Sequence, residues 1–151
     1  MKADIKPVYV RMTSEDLDDV AGIESESFSA PWSRKAFEDA LNDRNYIFYV
    51  AKYDKKVIGT AGLIVSFDEA DVTNVAVDKD YRGMGVATDL LMALLEKGMS
   101  AGIKTFTLEV RESNSPAIAL YEKAGFVFIG KRPGFYDKPR EDALMYQKKT
   151  D

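Results

Sequence analysis

The stretch from Arg82 to Gly85, with the letters RGMG, places an arginine and two glycines directly before a leucine-rich run at helical spacing. Glycine allows the backbone to approach a ligand closely. The unpaired amides of a first helical turn, together with the positive end of the helix dipole, favour an anion. These features predict a phosphate-binding loop, to which Arg82 adds positive charge. The same spacing also fits an ordinary tight turn between a strand and a helix.

The stretch lacks two features that would specify a common phosphate ligand. It does not end in the Lys-Ser/Thr pair of a nucleoside-triphosphate loop, and it contains no Gly-x-Gly-x-x-Gly pattern. Both patterns have a defined role in holding phosphates. Their absence argues against ATP and against a dinucleotide of the Rossmann type.

The 151-residue chain contains no histidine and no cysteine. This composition excludes disulfides, Cys/His zinc sites, cysteine nucleophiles and the Ser-His-Asp triad. Any general acid or base must therefore be a carboxylate, a tyrosine, a lysine or water. We expect no metal ion in the site.

The charge pattern and the apolar runs limit the kinds of partner. Acidic and basic residues are interspersed, and the formal net charge is -4. This disfavours direct nucleic-acid binding, which needs a basic face, and suits a cationic partner. The N-terminal letters MKADIKPVYV show no signal-peptide core, and the longest nearly apolar run, Val57 to Val65, is too short to span a membrane. We expect one cytoplasmic domain over residues 1–151, without a membrane partner.

Strands and helices alternate along the chain, with no repeat or linker. Around the glycine loop, the pattern predicts a strand over Asp71–Val77, a helix ended by Gly98 and Gly102, and a strand over Thr105–Arg111. The other predicted elements are a strand at Val8–Met12, a helix after Thr13 with Phe28 on its apolar face, a helix capped by Ser33, a hairpin of Tyr46–Ala51 and Val57–Ser66, a helix capped by Ser115, and strands over Phe126–Gly130 and Ala143–Lys148. In the hairpin, Gly59 and Gly62 are expected to weaken the second strand or to mark a bulge.

The letters NVAVDKDYRGMGVATDLL, residues 74–91, resemble the acetyl-coenzyme A signature Arg/Gln-x-x-Gly-x-Gly/Ala of the GNAT acetyltransferase superfamily. Three further segments are similar in order and spacing to ribosomal-protein-alanine N-acetyltransferases, the RimI type. They are FSAPWS (28–33), LEVRESNSPAIALYEKAGF (108–126) and EDALMY (141–146). The resemblance spans most of the chain. It implies the α/β (α+β) GNAT fold, a mixed and mostly antiparallel central sheet that is flanked by helices and has splayed central strands.

The resemblance also implies acetyl-CoA as the acetyl donor and a set of residues to hold it. The pantetheine arm would pair with the backbone of the strand before the loop, and the loop amides would hold the pyrophosphate. Asn114 would contact the donor near its thioester, although asparagine is also favoured in a turn ahead of a helix. The implied donor-binding residues are Val75, Ala76, Val77, Arg82, Gly83, Met84, Gly85, Val86, Ala87, Thr88 and Asn114.

Two positions match the base and the acid proposed for this family. Glu109 would take a proton from the acceptor amine, directly or through water, and Tyr121 would protonate the departing thiolate. The backbone amide of Val77 is a candidate oxyanion donor. Without the resemblance, Glu109 would read as a solvent-facing strand residue and Tyr121 as a packing residue.

The implied reaction is acetylation of the N-terminal amine of alanine in a small-subunit ribosomal protein. A small-molecule amine, such as a polyamine or an antibiotic, is the alternative acceptor, because a fold does not determine its substrate. A non-catalytic acyl-CoA-binding module is a third reading, which the presence of Glu109 and Tyr121 disfavours.

The family's acceptor groove would have walls at Phe28–Ser33 and residues 131–142. The family's Arg-x-x-Tyr-Tyr pattern has Phe135 in place of its first tyrosine, a change that removes a hydroxyl group. We assign Trp32 to packing rather than to substrate contact.

Overall fold

The computed structural model describes residues 5–150, so residues 1–4 and 151 of the predicted domain lie outside this description. The described chain forms four α-helices and eight strands. The helices are α1 (Leu17–Ser27), α2 (Arg34–Leu41), α3 (Val86–Ser100) and α4 (Ser115–Lys123). The strands are β1 (Val8–Arg11), β2 (Tyr46–Tyr53), β3 (Lys56–Ser66), β4 (Glu69–Val72), β5 (Ala76–Val77), β6 (Thr105–Arg111), β7 (Val127–Tyr136) and β8 (Glu141–Lys149).

All the strands belong to one sheet with the order β1-β2-β3-β4-β6-β8-β7, in which β5 is an additional partner of β3. Only the pairing of β4 with β6 is parallel in the region that the structure covers. The predicted mixed, mostly antiparallel sheet is confirmed. Strand β1 lies at one edge of this sheet.

The single strand predicted over Asp71–Val77 is wrong, because this segment is divided between β4 and β5. At the break, the amide and the hydroxyl of Thr73 both donate to the Gly62 carbonyl, at 2.8 and 3.2 Å. The parallel pairing of β4 with β6 reaches only to Asp71 and Thr107. Beyond it, β5 pairs with β3 and the rest of β6 pairs with β8. The two central strands therefore diverge, as the family resemblance implies.

The helices cover both faces of the sheet. On one face, α1 and α2 bury an apolar cluster around Val20, Phe37 and Phe48. On the other face, the four leucines of α3 pack with Phe106 and with Tyr121 of α4. This arrangement leaves α3 and α4 on the same side of the sheet, where they flank the point at which the central strands diverge.

Three predicted helix boundaries are wrong. Phe28 is extended, with φ -135° and ψ 148°, and follows the last residue of α1 instead of continuing its apolar face. Gly98 lies inside α3, where a Cβ would come within 2.8 Å of the Phe106 ring, whereas Gly102, with φ 95°, follows the end of the helix as predicted. Asn114, not Ser115, caps α4, because its Oδ1 accepts from the Ala117 amide at 3.2 Å. Capping of α2 by Ser33 is confirmed.

The last hairpin is longer than predicted. Strand β7 continues from Val127 to Tyr136, through residues expected to form a loop, and β8 begins at Glu141. Register shifts between Phe128 and Gly130 and between Arg132 and Tyr136 interrupt the pairing. The connection is reduced to residues 137–140.

Two glycines in contrasting surroundings provide a test of the packing. Strand β3 is continuous through Gly62, where a Cβ would overlap the Phe48 ring, whereas nothing lies within 4 Å of a Cβ at the exposed Gly22 of α1. We expect Gly62→Ala to lower the free energy of unfolding by about 1–3 kcal/mol through overpacking. Gly22→Ala should raise it by about 0.5–1 kcal/mol, because alanine costs less backbone entropy in a helix. Urea denaturation measures both, and a Gly62→Ala protein as stable as the wild type would contradict the packing.

Candidate active site

Two cavities adjoin where the central strands diverge. The loop cavity, of about 630 Å³, is lined by β5, the glycine loop, the start of α3 and one side of α4. The Glu109 cavity, of about 450 Å³, is lined by the segment after α1, the C-terminal half of β6 and the β7–β8 connection. Residues that line both are Ser27, Phe28, Val75, Asn114, Ala117 and Tyr121.

The glycine loop has the backbone conformation that its sequence predicts. Gly83 and Gly85 have φ of 78° and 81°, in the left-handed region that favours glycine, and Gly85 is the N-cap of α3. A Cβ at Gly85 would meet no atom of the protein within 4 Å, so the space beside this backbone is open. The amides of the first turn of α3 lack intrahelical partners because of helix geometry. They lie beside the loop cavity, where an anion would be stabilised.

Arg82 anchors the loop to the preceding strand, because its Nε donates to the carbonyl of Val77 at 3.0 Å. Met84 differs from its neighbours. Its side chain packs against the apolar cluster that contains Ile58 and Val86 and is not part of the cavity wall. Every other residue predicted to hold the donor lines the loop cavity: Val75, Ala76, Val77, Arg82, Gly83, Gly85, Val86, Ala87, Thr88 and Asn114.

The peptide groups of β5 alternate in direction. The Asp78 amide donates to the Ile58 carbonyl of β3 at 2.8 Å. Because successive residues of a strand point to opposite sides, the amides and carbonyls of Val77 and Val75 point away from β3. Two contacts agree with this direction. The Val77 carbonyl accepts from Arg82, and Val75 makes a backbone hydrogen bond with Tyr121 of α4. The amide of Val77 therefore faces the opening between the central strands.

Tyr121 lies in the wall between the two cavities. Its side chain is only 5% exposed and packs edge-on against Phe126, with 5.9 Å between ring centroids. Burial raises the pKa of the Tyr121 phenol, the nearby Tyr136 raises it further, and the hydrogen bond with Val75 opposes the rise. The phenol therefore stays protonated at neutral pH and holds a proton where the cavities meet.

Glu109 lines only the Glu109 cavity, from a position on β6 between the buried Leu108 and Val110. The strand alternation directs its side chain away from the core and into the cavity. Burial, followed by the charge of Glu109, raises the pKa of Tyr136 to about 12, against the opposing effect of Arg111. This coupling indicates that Glu109 and Tyr136 are close within the cavity.

Glu141 lies within the predicted wall segment 131–142, but sequence reasoning missed Arg111, with which it forms an ion pair at 3.2 Å in the Glu109 cavity. A signal for Arg111 was present in the strand pattern. It lies two residues after Glu109 on the same strand, and residues at this spacing share a face. Nothing local in the sequence indicates that Glu141 comes from a different strand to meet it.

The described part of the chain contains neither a candidate metal site nor a candidate membrane-spanning helix. Residues 5–150 contain no group of three or more histidine, cysteine, aspartate or glutamate side chains arranged to hold a metal ion. No helix within the same range is long and apolar enough to cross a membrane.

Comparisons with known proteins identify related chains. A model of the acetyltransferase (GNAT) family matches residues 17–126. A Bacillus subtilis (strain 168) protein is 36% identical over 141 residues, which are 93% of each chain. The ribosomal protein bS18-alanine N-acetyltransferase of Escherichia coli K12 is 36% identical over 136 residues, 89% of this chain and 91% of the relative. A crystal structure of the Escherichia coli ribosomal-protein-S18-alanine N-acetyltransferase superposes with a TM-score of 0.87 at 33% identity, covering 95% and 94% of the two chains.

The glycine loop can be tested with a matched pair of substitutions. Gly85 and Gly102 both have left-handed φ, 81° and 95°, and open space around them, but only Gly85 lines the loop cavity. Valine should strain the backbone at either position. We expect acetyl-CoA to raise the melting temperature of the wild type and of Gly102→Val by mass action, and to leave Gly85→Val unshifted.

Thermal denaturation with and without acetyl-CoA measures the difference, and ATP and NAD serve as ligand controls that should give no shift. An acetyl-CoA shift in Gly85→Val equal to that in Gly102→Val would contradict the assignment of the loop to the pyrophosphate.

Proposed function

The chain belongs to the acetyltransferase (GNAT) family and is an acetyltransferase, and on that basis we propose that it acetylates the N-terminal amine of a ribosomal protein. The proposed acceptor is the N-terminal alanine of a bS18-type small-subunit protein, after the activity named for the Escherichia coli relative. We assign the whole chain, residues 1–151, to one catalytic domain. A ribosomal acceptor implies a cytoplasmic reaction.

One observation carries the proposal: Tyr121 lies between a cavity lined by the glycine loop and a cavity lined by Glu109. A donor and an acceptor that occupy these two cavities would meet at this side chain. Transfer between two bound molecules needs this convergence, since holding both reactants together removes much of the entropic barrier. A module that only bound an acyl-CoA would need no second cavity with a carboxylate in it.

GNAT acetyltransferases use acetyl-CoA, which supplies an activated thioester when bound. In our proposal the first-turn amides of α3 and the backbone of Gly83 to Thr88 bind its pyrophosphate. The Val77 carbonyl already accepts from Arg82 and Val75 already bonds Tyr121, so the outward Val75 carbonyl would pair with the pantetheine arm and the Val77 amide would face the thioester. Asn114 Oδ1 already accepts from the Ala117 amide and caps α4. The contact with the donor that we propose for Asn114 would therefore be made by its Nδ2 group.

Glu109 would act on the acceptor. An N-terminal amine has a reference pKa of about 7.7–8.0, so at neutral pH most of it is an ammonium ion that cannot attack a carbonyl. The Glu109 carboxylate can accept that proton, directly or through water, and leave the amine neutral. The side chain lies in the cavity that does not contain the glycine loop, which is the side from which an acceptor would enter.

Tyr121 and Val77 would act on the donor side. Because burial disfavours the phenolate form of Tyr121, its proton would move only as negative charge develops on the departing sulfur. The amide of Val77 faces the same opening and can donate a hydrogen bond to the carbonyl oxygen as charge develops there. Both groups are held by secondary structure, so neither has to reorganise during the reaction.

The acceptor class can be tested directly with peptides. We expect efficient acetylation of a bS18 N-terminal peptide that begins with alanine and far slower acetylation of a free polyamine. Since the chain is acidic, the Michaelis constant for a basic peptide should rise with ionic strength as the attraction is screened. Mass spectrometry of an array of ribosomal N-terminal peptides and free amines measures both effects. Equal or faster turnover of the polyamine would favour a small-molecule acetyltransferase instead.

The acid and base can be tested with two substitutions that preserve side-chain shape. Glu109→Gln should lower turnover about a hundredfold or more at neutral pH, because no carboxylate takes the ammonium proton. Its activity should recover as the pH rises above about 8, where the amine is already neutral. Tyr121→Phe should also slow turnover, with little change in stability and no recovery beyond that of the wild type.

Peptide acetylation by both variants, measured from pH 6 to 10, gives these profiles. Retention of the acetyl-CoA thermal shift is the control that each variant still folds and binds the donor. Turnover near that of the wild type in both variants would exclude this acid and base pair.

A further inference from the structure

Arg111, at the C-terminal end of β6, contacts two separate segments of the Glu109 cavity wall. Its Nη1 donates to the Pro139 carbonyl at 2.9 Å, and its Nη2 donates to the Asp137 carbonyl at 3.0 Å, so one guanidinium holds both sides of the β7–β8 connection. Its Nη2 also lies 3.5 Å from Oγ of Ser29, in the segment that follows α1. The side chain thus joins β6, the β7–β8 connection and the α1–α2 connection.

The same guanidinium lies over an aromatic ring of the cavity. The Arg111 Cζ is 4.5 Å from the centroid of the Tyr136 ring, within the range of a cation–π contact. Tyr136 in turn is electrostatically coupled to Glu109. Arg111 therefore contacts the ring whose environment includes the carboxylate proposed as the base.

A carboxylate holds Arg111 in this orientation. Glu141 Oε1 accepts from Arg111 Nη1 at 3.2 Å, and Glu141 Oε2 accepts from the Ser113 amide at 2.6 Å. Hydrogen bonds from the Ser113 side chain, the Ser113 amide and Arg111, in that order, lower the pKa of Glu141, so it is ionised at neutral pH. The orientation of Arg111 thus depends on the start of β8 and on the turn after β6.

The network requires the shape of arginine. A planar guanidinium offers several donors in a fixed fork and can stack on a ring at the same time, whereas the ammonium of lysine is a point charge on a flexible stem. The Arg111 side chain is 23% exposed, so it lies at the cavity rim and outside the apolar core. Its contacts order the rim while the two apolar clusters of the core are built from other residues.

From this geometry we propose that Arg111 is a positioning residue for the acceptor: it holds residues 137–141 and Ser29 in the places that define the entrance to the Glu109 cavity. It thereby determines where an incoming N-terminal residue lies relative to Glu109. The role of Arg111 in positioning the acceptor rests on the proposed function, whereas its role in ordering the cavity rim does not. The loop cavity contains neither Arg111 nor its partners in the β7–β8 connection.

The kinetic test compares Arg111→Met and Arg111→Lys with a matched control, Arg34→Met. Arg34 also pairs with carboxylates, Asp18 at 2.6 Å and Glu38 at 3.5 Å, but lies outside both cavities. We expect kcat/KM for the acceptor peptide to fall about a hundredfold in Arg111→Met, the scale of a displacement of about 1 Å. The KM for acetyl-CoA should stay within about twofold of the wild type, since the donor binds in the other cavity. Arg111→Lys should not restore the acceptor value, and Arg34→Met should match the wild type.

A second readout does not depend on the acceptor. Hydrogen–deuterium exchange should accelerate in residues 137–141 of Arg111→Met and Arg111→Lys, and stay unchanged there in Arg34→Met. If the wild type acetylates no N-terminal peptide, the proposed function fails while the exchange experiment still tests the ordering of the rim. Three results in Arg111→Met would each overturn the positioning role. They are unchanged exchange at 137–141, an unchanged kcat/KM for the acceptor, or a rise in the KM for acetyl-CoA as large as the fall in the acceptor kcat/KM.

Discussion

The candidate site depends on the divergence of two neighbouring strands in the middle of the sheet. Parallel pairing of β4 with β6 stops at Asp71 and Thr107, after which β5 pairs with β3 and β6 pairs with β8. Each strand is therefore held from its outer side only, and the peptide groups on its inner side are left to face the opening. A closed sheet would use these groups in its own hydrogen bonds. Backbone amides are available to a ligand here because β5 and the second half of β6 are not hydrogen-bonded to each other.

Helix α4 occupies the same side of the opening as α3, and its Tyr121 separates the space into two cavities. This division gives the two halves of the site different physical characters. On one side, helix-terminal amides and glycine backbone favour an anion, and on the other, the Glu109 carboxylate can accept a proton from an amine. Tyr121 contacts both sides, and burial keeps its proton in place. The proposed base and acid are thus a carboxylate and a phenol on different elements of a chain that contains no histidine.

The wall of the second cavity is held by polar contacts between loops rather than by core packing. Arg111 is the centre of these contacts, joining carbonyl groups of the β7–β8 connection to the strand that carries Glu109. A wall of this kind can change in detail without disturbing the two apolar clusters beneath it. Phe135, at the position where the family resemblance leads us to expect a tyrosine, lies in the same hairpin but is not among the residues that line this cavity. That residue is half exposed and packs against Tyr136, with ring centroids 5.0 Å apart.

The sequence alone determined the order of elements, the glycine loop before α3 and the positions of Glu109 and Tyr121, because periodicity, glycine placement and a family signature are local patterns. It did not reveal the break between β4 and β5, because the break depends on Thr73 bonding to Gly62 of another strand. The tertiary structure alone also decided that Gly98 accommodates Phe106, that Met84 packs inward, and that Arg111 meets Glu141. In each case the deciding contact joins residues of different elements or loops, and such contacts leave no periodic signal in the sequence around either partner.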